Sequence, residues 1–323
     1  MNRLRRTLGV LRDNWRDPSF WLEGPDFVWR HVLTAPLRRA GWAYQRRTGD
    51  AEATTIGDAD WDNCIVLDAC RYDTFESVAD PSWDLRPRLA AGSDTGQYLA
   101  ANYPPSVTES DLVYVNSNPR VANEPTGDFH EIRHVWQDEW NDEYDTVMPE
   151  DVCAAAREAA TDHPDKRLLV HLVQPHIPYI GPTADDLPSG AAIQSMRSGD
   201  AEMDDSKPYA AVKAGLVEPE TVRAAYRESL ELAMEHVEAL VDDLEGKTVV
   251  TADHGDLLGE RDGRWVGEFS QWGHPANTPA TPLVRVPLAV PPFDERKTVR
   301  DGTATDTNQT DPNSEQLEAL GYR

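Results

Sequence analysis

The chain has 323 residues, of which 57 are acidic and 31 basic, giving a net charge of -26 and an isoelectric point near 4.6. Such a charge repels nucleic acid, and three cysteines (Cys64, Cys70, Cys153) outside any CxxC spacing argue against a disulfide framework. With no run of the ~20 apolar residues that a membrane span needs, and no leader-type apolar core at the start, the chain reads as cytoplasmic.

Only five of the cations are lysines. An excess of carboxylates with little lysine suits a protein dispersed in concentrated salt, where screening removes most self-repulsion. A halophilic, haloarchaeal source is the expectation, with an ordinary acidic cytosolic protein as the alternative.

Residues 1–50 form a basic, aromatic arm, with ten arginines against four acids in the first 47 residues and Trp15, Phe20, Trp21, Phe27, Trp29, Trp42 and Tyr44 interleaved. That mixture fits two roles: wrapping the acidic body of the same protein, or peripheral contact with the anionic inner face of a membrane. From residue 58 to 293 strand and helix signals alternate, which predicts an α/β fold: a three-layer α/β/α sandwich with a mostly parallel central sheet. The strands are CIVLDA (64–69), DLVYVNS (111–117), RLLVHLVQ (167–174), TVVTAD (248–253) and VRVPLAV (284–290). Helices are expected over 148–163, which carries Pro149 and acids in its first turn, and over 218–246, which runs from Pro219 to Gly246. Residues 183–215 read as an insertion or lid, and 294–323 as a flexible acidic tail ending in a short helix.

Ligands in open α/β sheets bind beyond the carboxyl ends of the strands. Polar residues gather at those ends here: Asp68, Arg71 and Asp73 after the first strand, His176 and Tyr179 after the third, Asp253 and His254 after the fourth, and His274 in the loop before the fifth. Aspartate oxygen and histidine nitrogen together suit a divalent cation such as Zn or Mn. The segment RLAAGSDTGQYLAANYP (88–104) adds a hydroxyl, Thr95, just before a helix expected to begin at Gly96 or Gln97, where free backbone N–H groups favour an alkoxide and a phosphate oxygen. An ordinary helix cap is the competing role for Thr95, and Ser93 is the competing nucleophile.

On these segments the chain resembles the sulfatase-like branch of the alkaline phosphatase superfamily. VLDACRYD is similar to its first metal-binding motif, GSDTG to its nucleophile loop, HLVQPHIPY to its histidine segment, and TADHGDLLGE followed by GHP to its second metal-binding block. The terminal SEQLEALGYR is similar to the end of many sulfatase-like chains. The resemblance implies a hydrolase or transferase of phosphate or sulfate esters, small or carried on a glycan or lipid, working through a covalent threonine intermediate. It implies Asp68, Thr95, Asp253 and His254 as metal ligands, Thr95 as nucleophile, and Arg71, His176 and His274 as substrate-binding residues. The two histidines are also expected to protonate the leaving group or help hold a second metal. Zn, Mn or Ca is the implied cofactor; one ion is expected, because no further carboxylate is evident beside those histidines, with two as the alternative. No cysteine lies in the 88–104 loop to mature to formylglycine, which favours phosphoryl over sulfuryl chemistry. A catalytically degenerate member that binds an anionic glycan or a partner is the alternative class.

Overall fold

The structure, a computed structural model, describes residues 35–48, 55–57, 59–187, 208–260, 271–304 and 314–321. Much of the arm (1–34), lid (188–207) and tail (305–313) expected from sequence therefore lies outside the described residues.

In chain order the strands are β1 (Asn63–Leu67), β2 (Asp84–Leu89), β3 (Thr108–Asn116), β4 (Asp128–His134), the short pair β5 (Trp140–Asn141) and β6 (Thr146–Val147), β7 (Arg167–Leu172), β8 (Thr248–Ala252), β9 (Leu257–Glu260), β10 (Gln271–Gly273) and β11 (Arg285–Val290). The helices are α1 (Ala35–Thr48), α2 (Tyr72–Val78), α3 (Thr95–Asn102), α4 (Pro149–Asp162), α5 (Pro182–Asp185), α6 (Pro208–Lys213), α7 (Pro219–Asp243), α8 (Thr281–Val284) and α9 (Ser314–Ala319).

Seven strands form one sheet in the order β2-β11-β8-β1-β7-β3-β4. Neighbours from β8 to β4 pair parallel, whereas β11 pairs antiparallel with both β8 and β2. The mostly parallel α/β sheet expected from the sequence is thus present, with two further strands, β2 and β4, at its edges.

Central strands are apolar on both faces because both are covered. One face packs Ile65, Leu67, Leu168, Val170, Leu172 and Val250 against α4 and α7, whose buried Val152, Ala156 and Ala159 and Leu230, Val237 and Leu240 recur at helical spacing. Burying each such aliphatic side chain is worth about 1.5–3 kcal/mol. The opposite face carries Cys64, Val66, Leu169 and Val249 beneath Tyr98 and Leu99 of α3.

Two flanking segments are tied to this body. Trp42 of α1 packs on a small cluster of Leu89, Leu257, Leu283 and Val284, and Gln45 Nε2 donates to Pro279 O at 3.1 Å and Thr281 Oγ1 at 3.0 Å. Trp42 and Gln45 thus lie against the sheet body, and among the described residues no helix is long and apolar enough to cross a membrane. Where the sequence reads as a loose tail, Arg296 grips buried Asp62 bidentately (2.7 and 2.9 Å), Lys297 Nζ donates to Asn63 Oδ1 at 2.8 Å, and Arg300 N donates to Asp165 O at 2.9 Å. Residues 296–300 form a strap across the amino ends of β1 and β7.

Candidate functional site

Register brings the site together. Leu67 lies beside both Leu172 and Ala252, so the residues that follow, Asp68 and Asp253, leave adjacent strands at the same height. The two-residue period of a strand puts Val66 and Asp68, Leu169 and His171, and Thr251 and Asp253 on one sheet face, the face under α3. Asp68, His171 and Asp253 are buried, and one ligand-type atom from each lies within 4.8 Å of the others.

His254 completes the cluster. Its Nδ1 donates to Gly255 O at 2.8 Å, so Nε2 presents a lone pair 3.2 Å from Asp253 Oδ2 and 3.6 Å from Asp68 Oδ1. That tautomer depends on the turn after β8, and the turn needs glycine: a Cβ on Gly255 would stand 2.0 Å from Pro282 O. Asp253 Oδ1 accepts from the N–H groups of Ala69 (3.1 Å) and His254 (2.8 Å), while Asn118 Nδ2 donates to Asp68 Oδ2 at 2.6 Å. Beneath the strand, buried Arg88 donates to Ala252 O at 2.7 Å and so holds the residue before Asp253.

Thr95 opens α3, and its Oγ1 is 3.4 Å from His254 Nε2. The N-cap is Asp94, whose carboxylate accepts from Gln97 N at 3.0 Å, so Thr95 is the first residue inside the helix rather than its cap. Ser93 is engaged elsewhere: its hydroxyl donates to Pro275 O at 2.9 Å and accepts from Thr278 N at 3.0 Å. Of the two hydroxyls, Thr95 faces the cluster, and Ser93 ties its loop to the loop carrying His274. Arg120, 3.5 Å from Asp94 and 3.1 Å from Glu124, places a guanidinium over Gly96, where a Cβ would meet it at 2.9 Å.

A second cluster adjoins the first. The His274 ring lies 4.6 Å from that of His254 and 4.9 Å from that of His176, and His274 Nδ1 is 3.5 Å from Asp256 Oδ1. Asp256 is the carboxylate beside the histidines that sequence reading did not find; the other side of its carboxyl accepts from Tyr209 of α6 at 2.5 Å. The Arg71 guanidinium is bound to Asp73, Glu260 and the carbonyl of Asp256.

Burial, and then the charge of Asp253, pushes the Asp68 carboxyl well up. Asp253 is also penalised by burial, but His254, His171 and two backbone N–H groups outweigh that and hold it below the usual carboxylate range. Burial lowers His171 to about 4, and burial plus the nearby His274 holds His176 well below its ordinary value. The result is two buried acids beside His171 and His176, both of which burial keeps neutral near pH 7. Among the described residues Asp253 Oδ2 and His171 Nε2 are buried without a hydrogen-bond partner, an expensive arrangement unless something positive binds both. A divalent cation with oxygen and nitrogen ligands fits that donor set.

His171, Asn118, Arg120 and Asp256 escaped the sequence reading. The signal for His171 was available in RLLVHL, where an imidazole interrupts an apolar strand in phase with Leu169.

No family model and no curated protein matches the sequence. Among solved structures the chain is similar to the integral membrane protein lipooligosaccharide phosphoethanolamine transferase A from Neisseria meningitidis (12% identity, TM-score 0.42, covering 88% of this chain and 59% of that one). It is also similar to a phosphonate monoester hydrolase from Silicibacter pomeroyi (16%, TM-score 0.41, 80% and 72%). A third is a protein in the alkaline phosphatase superfamily from Vibrio parahaemolyticus (14%, TM-score 0.35, 83% and 69%).

Proposed function

We propose that the chain is a divalent-metal-dependent hydrolase or transferase of phosphate esters, with sulfate esters as a secondary class, working through a covalent intermediate on Thr95. The observation that carries this is the placement of the Thr95 hydroxyl at the start of α3, 3.4 Å from His254 Nε2 and at the rim of a buried cluster of two carboxylates and two imidazoles. Asp68, His171, Asp253 and His254 would hold the cation, which when bound supplies positive charge to a phosphoryl oxygen and to the Thr95 oxygen. Asp256, His176 and His274 form an adjoining donor set suited to a second cation or to the substrate anion.

Thr95 Oγ1, its proton released to solvent beforehand, attacks phosphorus as the bond to the leaving oxygen breaks, and the departing alkoxide takes a proton. In this reading His274 gives it, being the more exposed of the two histidines with Asp256 against its Nδ1. In this reading the backbone N–H groups at the start of α3 and the Arg120 guanidinium over Gly96 stabilise the charge that develops on the equatorial oxygens. Water, or an acceptor alcohol in the transferase case, then releases the phosphoryl group from Thr95.

The test is elemental analysis of the purified chain together with a panel of p-nitrophenyl phosphate, bis(p-nitrophenyl) phosphate and p-nitrophenyl sulfate. The proposal expects bound metal and metal-dependent turnover that both Asp253→Ala and Thr95→Ala abolish. Metal-free protein that turns over none of the three, with or without added cations, sinks it and leaves a binder of an anionic glycan or a partner.

A further inference from the structure

A cavity of about 390 Å³ lies between α2 and α7 beside the second cluster, and its lining includes Arg71, Arg223 and Arg227 with Tyr226, Ser77 and Glu260. Three guanidiniums in one cleft are notable in a chain with 57 acids and 31 bases. The cleft shares a wall with the candidate site. Tyr226 OH donates to Ala69 O at 2.8 Å and accepts from Arg71 N at 2.9 Å, which pins the turn after Asp68, and Arg71 Nη1 donates to Asp256 O at 3.2 Å.

The arginines differ in how firmly they are held. Arg71 is 11% exposed and locked by Asp73 and Glu260. Arg223 and Arg227, one helical turn apart on α7, are 41% and 47% exposed. Arg223 Nε donates to Leu258 O at 2.8 Å and Arg227 Nη1 to Ser77 Oγ at 2.9 Å, so both forks face the cleft, while their acidic partners, Glu220 and Glu231, lie on the same helix in pairs spaced i,i+3 and i,i+4. Solvent-exposed pairs of this kind contribute little and exchange readily for a better partner, whereas a guanidinium fork binds carboxylate or phosphate bidentately.

We propose that this cleft is an anion subsite that receives a second negatively charged group, phosphate or carboxylate, on the leaving portion of the substrate, with Arg223 and Arg227 as its ligands. The assignment to the leaving portion rests on the phosphoryl-transfer reading of the neighbouring site; the anion site itself does not.

Two measurements separate them. In the first, inorganic phosphate is titrated into the full-length chain, stripped of metal by a chelator at low ionic strength, and followed by phosphorus NMR line width. Saturable binding is expected, weakened about tenfold or more in the Arg223→Ser/Arg227→Ser double variant and largely kept in the Arg223→Lys/Arg227→Lys variant, with circular dichroism confirming the fold of each. The second compares kcat/KM of the metal-loaded enzyme for 6-phosphonooxyhexanoate and for hexyl phosphate. Wild-type protein is expected to favour the carboxylate ester, and the serine double variant to lose that preference. Phosphate binding that is absent or unchanged by the serine substitutions overturns the anion site. Unchanged ester preference overturns its role in the substrate. Phosphate binding in a chain that hydrolyses neither ester sinks the phosphoryl-transfer reading while the cleft stands.

Discussion

His171 stays neutral because burial lowers it to about 4 from an ordinary 6.5, and burial moves His176 in the same direction. Between those two values the unfolded chain binds a proton that the folded chain does not, so the stability of metal-free protein is expected to fall as pH drops from about 6.5 towards 4. For His171 alone the full loss is on the order of 3 kcal/mol. Urea unfolding at a series of pH values in the presence of chelator measures it; His171→Asn should flatten the slope and weaken metal binding about 10- to 100-fold, and an unchanged slope would show that His171 does not titrate as stated. The two hydroxyls of the nucleophile loop make opposite predictions. Thr95→Ala should remove turnover yet keep the fold. Ser93→Ala, by stranding the buried N–H of Thr278, should cost about 1–3 kcal/mol of stability and leave metal content intact. Equal kinetic damage from both would argue against Thr95 as the attacking group.

At the scale of elements, the strap and the turn after β8 carry the testable weight. Burial pushes the Asp62 carboxyl up, but Arg296 and the N–H groups of Lys247 and Lys297 more than offset that, holding it below its usual range. Its contribution is therefore present above the unfolded value of 3.8 and is lost as pH falls through the lower folded value. Near neutrality Arg296→Ala should cost about 1–3 kcal/mol in a denaturant titration, more than a surface pair, because it leaves buried Asp62 with backbone N–H partners but no bidentate guanidinium; a cost below ~0.5 kcal/mol would mean the strap is not held this way. The pattern of what was legible has physical causes. β1, β3, β7, β8 and β11 announce themselves as apolar runs because both sheet faces are covered, whereas the edge strands β2 (DLRPRL) and β4 (DFHEIRH) are half solvated and carry charges that hide their alternation. Asp68, Asp253 and His254 were readable because each ends an apolar run. Asp256 was not, since whether it meets His274 depends on the turn at Gly255 and on a loop distant in sequence. Gly255→Ala tests that turn: the clash with Pro282 O should remove metal binding together with turnover, and normal metal content would show that the turn can give way.

For the whole molecule the dominant quantity is the charge of -26. At 0.1 M salt the screening length is about 10 Å, so carboxylates on neighbouring surface elements repel one another, and at 1 M it is about 3 Å and most of that repulsion is gone. The same screening weakens attractive surface pairs such as Arg157–Asp243 and Arg227–Glu231. Each of these is worth only about 0.2–1 kcal/mol, and acids outnumber bases by 26, so the loss of repulsion should win. The expected outcome is a Tm that climbs from 0.1 to about 1 M KCl and then levels off, since screening is nearly complete by then. Exclusion of salt from the protein surface would raise Tm as well, without depending on charge. The two are separated by neutralising the exposed acids Asp84, Asp138, Glu139, Asp142 and Glu143 to their amides. If repulsion is the cause, the variant is more stable than the parent at 0.1 M KCl and its Tm rises less with salt, the two curves converging at high concentration. Parallel curves would assign the effect to exclusion and remove the physical basis for reading this surface as an adaptation to concentrated salt.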